Sequence, residues 1–211
     1  MGGFFSLDSK FMRAMSRVAD LVILNCVFLL TCLPVITIGA ASTALYTVCF
    51  RMGTVREGHL LRGYFQAFRS EFRQSTLIWL ILLLFGAAVC LNILLFLGMS
   101  GWMHYLYILF LMFLMIALMI LGYAFPLLSQ FQNDTRSTVK NALIFSVAFL
   151  PRTLAIVALN VLPWAMLLVN PYLFLQVGFL WVFLYFSAAA YLNVRLLRKV
   201  FAPYIPQEEA Q

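Results

Sequence analysis

Charge is what these 211 residues have least of: only 10% are Asp, Glu, Lys or Arg, where a soluble domain carries about 25%. Hydrophobic residues make up 64%, against the about 45–50% of a soluble domain. A water-soluble fold is excluded on that count. Acid is the scarcer sign, with 7 acidic against 14 basic side chains and a net charge of +7. The basic residues flank apolar runs, so they point to lipid headgroups and topology rather than nucleic acid. Histidine is nearly absent: His59 and His104 are the 2 present, and they fall on opposite sides of the expected topology. The 4 cysteines, Cys26, Cys32, Cys49 and Cys90, lie inside apolar runs without C-x-x-C spacing. Buried free thiols are therefore expected. No H-E-x-x-H, P-loop or G-x-S-x-G motif occurs. Catalytic residues, a metal and a cofactor are accordingly not expected, and the chain is read as no enzyme.

What is present is length in apolar runs. At about 20 residues per membrane helix, the chain allows five or six spans in a single integral membrane domain covering 1–211. Four plain spans are expected at 76–98, 105–128, 154–169 and 174–194, joined in pairs by the uncharged links Met99–His104 and Asn170–Leu173. Lys10, Arg13 and Arg17 before the run Leu21–Ile38 imitate a signal peptide. That run exceeds the about 7–15 residues of a signal core, so an uncleaved anchor is expected.

The basic residues fall into four groups: three in 1–20, five in 51–75, three in 129–152 and three in 195–211. The positive-inside rule places all four in the cytoplasm. Residues 21–50 must then leave and return. A broken helical hairpin over 9–52 is expected, about Ser9–Leu33 and Ala40–Met52, turning at Pro34–Gly39 near the outer surface. Pro34 would end the first helix and Gly39 would permit the reversal. The second arm, at about 1.5 Å per residue, is too short for a relaxed bilayer, so it either re-enters or is shielded. The fold class is all-α: a polytopic helical membrane bundle with both termini cytoplasmic.

Between the hairpin and the first plain span, 55–74 reads as an interfacial amphipathic helix. Leu61, Tyr64, Phe65, Phe68 and Phe72 recur at spacings of three and four, with Arg62, Arg69 and Arg73 on other faces. Tyr64, Phe65, Phe68 and Phe72 with the three arginines form a candidate surface for lipid or a partner. Phe4–Arg17 and Ser137–Leu150 are weaker versions. Interfacial helix, outward span and return span could be one unit in three copies. Arg17…Asn25 and Arg152…Asn160 share a spacing, a match that apolar composition alone readily produces.

Within the spans the polar side chains are Asn25, Asn92, Asn160 and Gln176, with Thr31. Amides hydrogen-bond sugar hydroxyls, but the plainer reading is interhelical contact, about 0.6–2 kcal/mol each. Ser187-Ala188-Ala189-Ala190 reads as a small patch for close helix approach. Pro163 should kink its helix or free a backbone carbonyl.

Several blocks in register resemble the YesL-like family of bacterial membrane proteins. They are Met1-Gly-Gly-Phe-Phe, the stretch Leu33–Tyr46, Gly63–Arg69, Tyr123–Leu128, Lys140–Leu143 and Leu150–Leu154. The resemblance implies a bacterial cytoplasmic (inner) membrane protein of unknown function, with relatives encoded beside carbohydrate ABC importers. It supplies no catalytic residues. It implies a non-enzymatic accessory to a sugar importer, with membrane lipids and importer permeases as partners. A small channel or carrier, and a homo-oligomer, are the competing expectations. No Glu-Ala-Ala…Gly coupling signature is present, so the chain is not read as a permease itself.

Overall fold

The computed structural model describes residues 10–52, 59–131 and 133–204, and among these there is no strand. In chain order the helices are α1 (Lys10–Cys32), α2 (Ile38–Arg51), α3 (Leu60–Ser70), α4 (Phe72–Leu97) and α5 (Leu106–Gln130). They continue with α6 (Thr135–Ala148), α7 (Leu150–Val169), α8 (Pro171–Gln176), α9 (Gly178–Leu180) and α10 (Phe186–Phe201). A wider π-helical turn, Trp181–Tyr185, joins α9 to α10. Five stretches among the described residues are long and apolar enough to cross a membrane: Ala14–Cys32, Phe72–Leu97, Gly101–Gln130, Leu150–Val169 and Gly178–Tyr204. Their outward faces are apolar too. Leu84, Leu91 and Leu94 of α4 are all more than half exposed. A helix that is hydrophobic all round and left uncovered by its own protein belongs in lipid. The chain is an all-helical membrane bundle.

The boundaries follow local chemistry. Pro34 lies two residues beyond the end of α1, where it opens a short 3-10 turn, Val35–Thr37. The Thr37 hydroxyl donates to the carbonyls of Thr31 (2.6 Å) and Pro34 (2.7 Å), closing the turn on itself. Between α4 and α5, Gly101 takes a positive φ of 78°, the backbone state that favours glycine. Asn170 caps α8, its side-chain oxygen accepting from the Leu173 N–H at 3.0 Å, with Pro171 in the first turn.

Four details differ from the sequence-based expectation. The helix expected over 55–74 is broken at Glu71, so Phe72 and Arg73 open α4 instead of closing α3; residues 53–58 lie outside the described residues. Of Phe4–Arg17, residues 4–9 lie outside the described residues, and residues 10–17 run straight into α1. The last span is preceded by separate α8 and reaches Phe201, past the expected 194. Cys90 is an exposed thiol on α4, not a buried one.

Gly39 is also corrected. It is not in the turn; it is the second residue of α2 and is buried. A methyl group built on it would collide with the Ser75 carbonyl and lie 2.7 Å from Trp79 Cβ. Its role is close approach between α2 and α4, not reversal. Thr43 and Ser75 seal the contact with a 2.8 Å hydroxyl pair, and Trp79 Nε1–H donates to the Val35 carbonyl at 2.8 Å. The turn therefore lies beside the first two turns of α4. About 27 Å of α4 extends beyond Trp79, so the turn does not reach the far end of that helix, as an outer-surface position would require.

α2 is the centre of the bundle. Eleven of its 14 residues are buried, among them Ala40, Ala41, Ala44, Leu45 and Cys49, against α1, α3, α4, α5 and α10. Its C-terminal end meets an aromatic cluster in which Phe50, Phe131 and Phe145 all contact Phe201. Arg198 closes that end, donating to the carbonyls of Phe50 (2.7 Å) and Met52 (2.9 Å).

The Gly39 contact is directly testable. Gly39→Ala should destabilise the purified protein by about 1–3 kcal/mol, the usual range for overpacking. Gly86→Ala, where an added methyl meets nothing within 4 Å, should leave the melting temperature unchanged or raise it. Thermal melts of both variants in one detergent check this, and equal behaviour of the two would contradict the close-contact assignment.

Candidate functional site

Among the described residues, three polar arrangements in the apolar body involve the expected membrane amides or Pro163. The first is built around Asn25, which is fully buried on α1. Its Nδ2 donates to the carbonyls of Trp181 (3.1 Å) and Val182 (2.7 Å), and its Oδ1 accepts from the Ser187 N–H (2.9 Å). The Ser187 hydroxyl returns the contact, donating to the Leu21 carbonyl at 2.7 Å. A π-helical turn departs from the regular i→i+4 ladder, and one asparagine from a neighbouring helix supplies what the wider turn leaves over. Asn25 is an interhelical clamp.

The second arrangement follows from Pro163, which has no N–H to give the carbonyl four residues earlier. That carbonyl, Leu159, accepts from the Tyr185 hydroxyl at 2.7 Å. α7 runs through the proline without a break. Tyr185 belongs to the same π-helical turn that Asn25 holds, so one irregular turn serves α1 and α7 together.

The third joins α2, α7 and α10. Asn193 Nδ2 donates to the Tyr46 hydroxyl (3.1 Å) and to Asn160 Oδ1 (3.3 Å). Asn193 is fully buried and its Oδ1 has no partner. Here, among the described residues, amide and aromatic hydroxyl groups from three helices converge. The other expected membrane amides do not join it. Asn92 donates only to the Ala88 carbonyl of its own helix (2.8 Å), and Gln176 is exposed. Thr31, expected as a lone polar side chain, donates to Val27 and Phe28 in its helix and shares a 2.6 Å bond with Tyr64.

That last bond corrects the reading of α3. Tyr64 is not on the docking surface: it is fully buried, with its hydroxyl against Thr31 and the Ala41 carbonyl. Burial pushes its phenol above the usual tyrosine value, with the Thr31 bond opposing. Phe68 is half-buried and stacks on Tyr64. What α3 and the start of α4 leave outside is Leu61, Phe65 and Phe72, with Arg62, Arg69 and Arg73 also exposed. The amphipathic helix is thus divided lengthwise. One edge anchors to α1 and α2, the next carries exposed aromatics, and the third carries arginine.

Sequence reasoning missed Asn193, Tyr46, Tyr185 and Ser75 as polar partners. Asn193 falls inside the expected 174–194 span, so an amide there is a legible signal. The hydroxyl groups carry none, because tyrosine and serine are as common at helix surfaces as in contacts. Among the described residues no group of three or more His, Cys, Asp or Glu gathers that could hold a metal ion. All four cysteines are free thiols.

With this geometry in hand, comparison with known proteins gives two matches. Residues 21–93 match a family described as a protein of unknown function, DUF624. That segment runs from the middle of α1 through α2 and α3 into α4, and so includes both the central helix and the amphipathic one. The chain is also similar to the uncharacterized protein YteU of Bacillus subtilis (strain 168), at 29% identity over 153 residues, 72% of this chain and 69% of that protein. Both similarities are to proteins of unknown function, one of them bacterial. No solved structure matches.

The three arrangements rank the membrane amides. Asn25→Ala breaks three bonds and leaves buried carbonyls unpaired, a loss of about 2 kcal/mol or more. Asn92→Ala should change little. Detergent melts of both variants, read beside the wild type, check the order, and a larger loss at Asn92 would contradict it.

Proposed function

We propose that this chain is a non-enzymatic accessory membrane protein linked to carbohydrate uptake, assisting or regulating a sugar ABC importer. In this reading it sits in the bacterial cytoplasmic (inner) membrane with both termini inside. The observation that carries the reading is α3. A buried tyrosine fixes this helix to the centre of the bundle while Leu61, Phe65 and Phe72 stand exposed beside three arginines. An edge so rigidly held and so apolar suits a partner helix at the membrane surface, and importer permeases are the partner class implied by the YesL-like resemblance.

Gentle-detergent co-purification of the tagged chain from its own host tests this. Importer permeases should accompany the wild type in stoichiometric amount and fall away with Phe65→Ala combined with Arg69→Ala. Permeases that are stable and fully active without the chain would sink the proposal.

A second reading is supported by the Tyr46–Asn160–Asn193 cluster, whose unpaired amide oxygen is the kind of group that binds a hydroxyl. Under it the chain is itself a small channel or carrier for a sugar or other small solute. A clean homo-oligomer on purification, with sugar flux into liposomes above the empty control, would favour this reading over the first.

Topology has its own test. Arg62, Ser100 and Ser137 are all exposed, so cysteine can be placed at each without disturbing the core. With both termini inside, impermeant thiol reagent on intact cells should label position 100 and spare 62 and 137. Labelling at 62 from outside would overturn the orientation.

A further inference from the structure

We propose that α1 and α10 form a binding site for the phosphate of an anionic glycerophospholipid, built from Arg17, Tyr191 and Arg195. Arg17 Nη1 and Arg195 Nη2 each lie 3.3 Å from the same Tyr191 hydroxyl oxygen. The Arg195 guanidinium also stacks over the Tyr191 ring at 4.9 Å from its centroid. Two positive groups are thereby drawn onto one neutral acceptor. Neither arginine makes an ion pair with a described carboxylate, including Asp20, one turn further along α1.

Like charges so close repel, and an anion shared between them relieves that repulsion. Guanidinium groups match phosphate oxygens in geometry, with two parallel N–H donors apiece. Both arginines are exposed, so an anion has access. The source of the phosphate follows from the surroundings. Arg17 is the fourth residue of the apolar stretch Ala14–Cys32, and Arg195 lies within Gly178–Tyr204. Val18, next to Arg17, and Leu192, next to Tyr191, are exposed apolar side chains. A phosphodiester carrying acyl chains satisfies both the charged and the apolar parts of this surface, whereas a free phosphate satisfies only the first. The fold distinguishes this pair from the other arginines. Arg198 is engaged with the backbone of α2, and Arg152 stacks on Phe149.

The test uses the full chain in neutral detergent, with retention of phosphatidylglycerol compared with phosphatidylcholine by native mass spectrometry. Wild type should prefer phosphatidylglycerol, and Arg17→Gln with Arg195→Gln should lower that preference roughly tenfold. Arg17→Lys with Arg195→Lys keeps the charge and should retain most of it, which separates headgroup binding from misfolding. Arg136→Gln with Lys140→Gln, both exposed on α6, should leave the preference unchanged. Three results would overturn the assignment: an undiminished preference in the Arg17 and Arg195 glutamine pair, loss from the α6 pair alone, or full displacement of the lipid by millimolar inorganic phosphate. The last would make it a site for a free anion.

Discussion

The architecture depends on a helix that is too short for the place it occupies. α2 has 14 residues, about 21 Å, while the hydrocarbon core of a bilayer is about 30 Å thick. In that medium an unpaired backbone group costs several kcal/mol, so neither end of α2 can be left to lipid. The protein covers both ends with neighbouring helices. Arg198 reaches across from α10 to the last carbonyls. At the other end, Gly39 lets the first turn press against the α4 backbone, with Thr43 and Ser75 bonded beside it. Five helices are drawn in around this one, and the small side chains of Ala40, Ala41 and Ala44 let them come close.

The same logic explains the irregularities elsewhere. Pro163 removes a donor from α7, and the π-helical turn takes α10 out of its regular ladder, yet each defect is met by a side chain from a neighbour. Tyr185 serves the proline and Asn25 serves the turn. Because Tyr185 lies in the turn that Asn25 holds, α1 fixes the turn that in turn supports α7. Breaks of this kind tie helices together more specifically than apolar packing, since lipid tails are as apolar as leucine and give helices little reason to prefer each other.

The long spans were legible because their signal is length and composition, which needs no partner. Phe72–Leu97 and Leu150–Val169 begin within four residues of where the apolar runs suggest. The interruption after Cys32 was legible from Pro34 for a similar reason, since proline acts locally. Gly39 was not. A glycine near a proline reads as a turn residue, and only the approach of Ser75 and Trp79 shows it to be a contact residue in a helix. Tyr64 was misread on the same ground. Periodicity groups it with Phe65 and Phe68 on an apolar face, but it cannot say which edge of that face is turned to protein and which to lipid. Of the membrane amides, Asn25 and Asn160 reach other helices and Asn92 does not. Spacing along a single helix carries no information about what stands opposite.

The net charge of +7 reads as a topology signal when taken as a sum, but its members do different work. Arg198 is part of the fold, because removing it would unpair two carbonyls at the end of a buried helix. Arg152 lies over the Phe149 ring, 5.4 Å from its centroid, at the start of α7. Arg62, Arg69 and Arg73 stand exposed along one edge, where charge can steer a partner or a headgroup without being needed for packing. Arg17 and Arg195 differ from all of these, since the fold brings them together without an ion pair to any described carboxylate. A positive-inside count weighs these residues equally. The structure separates those that close the bundle from those that face outward, and the outward ones are where binding is to be sought.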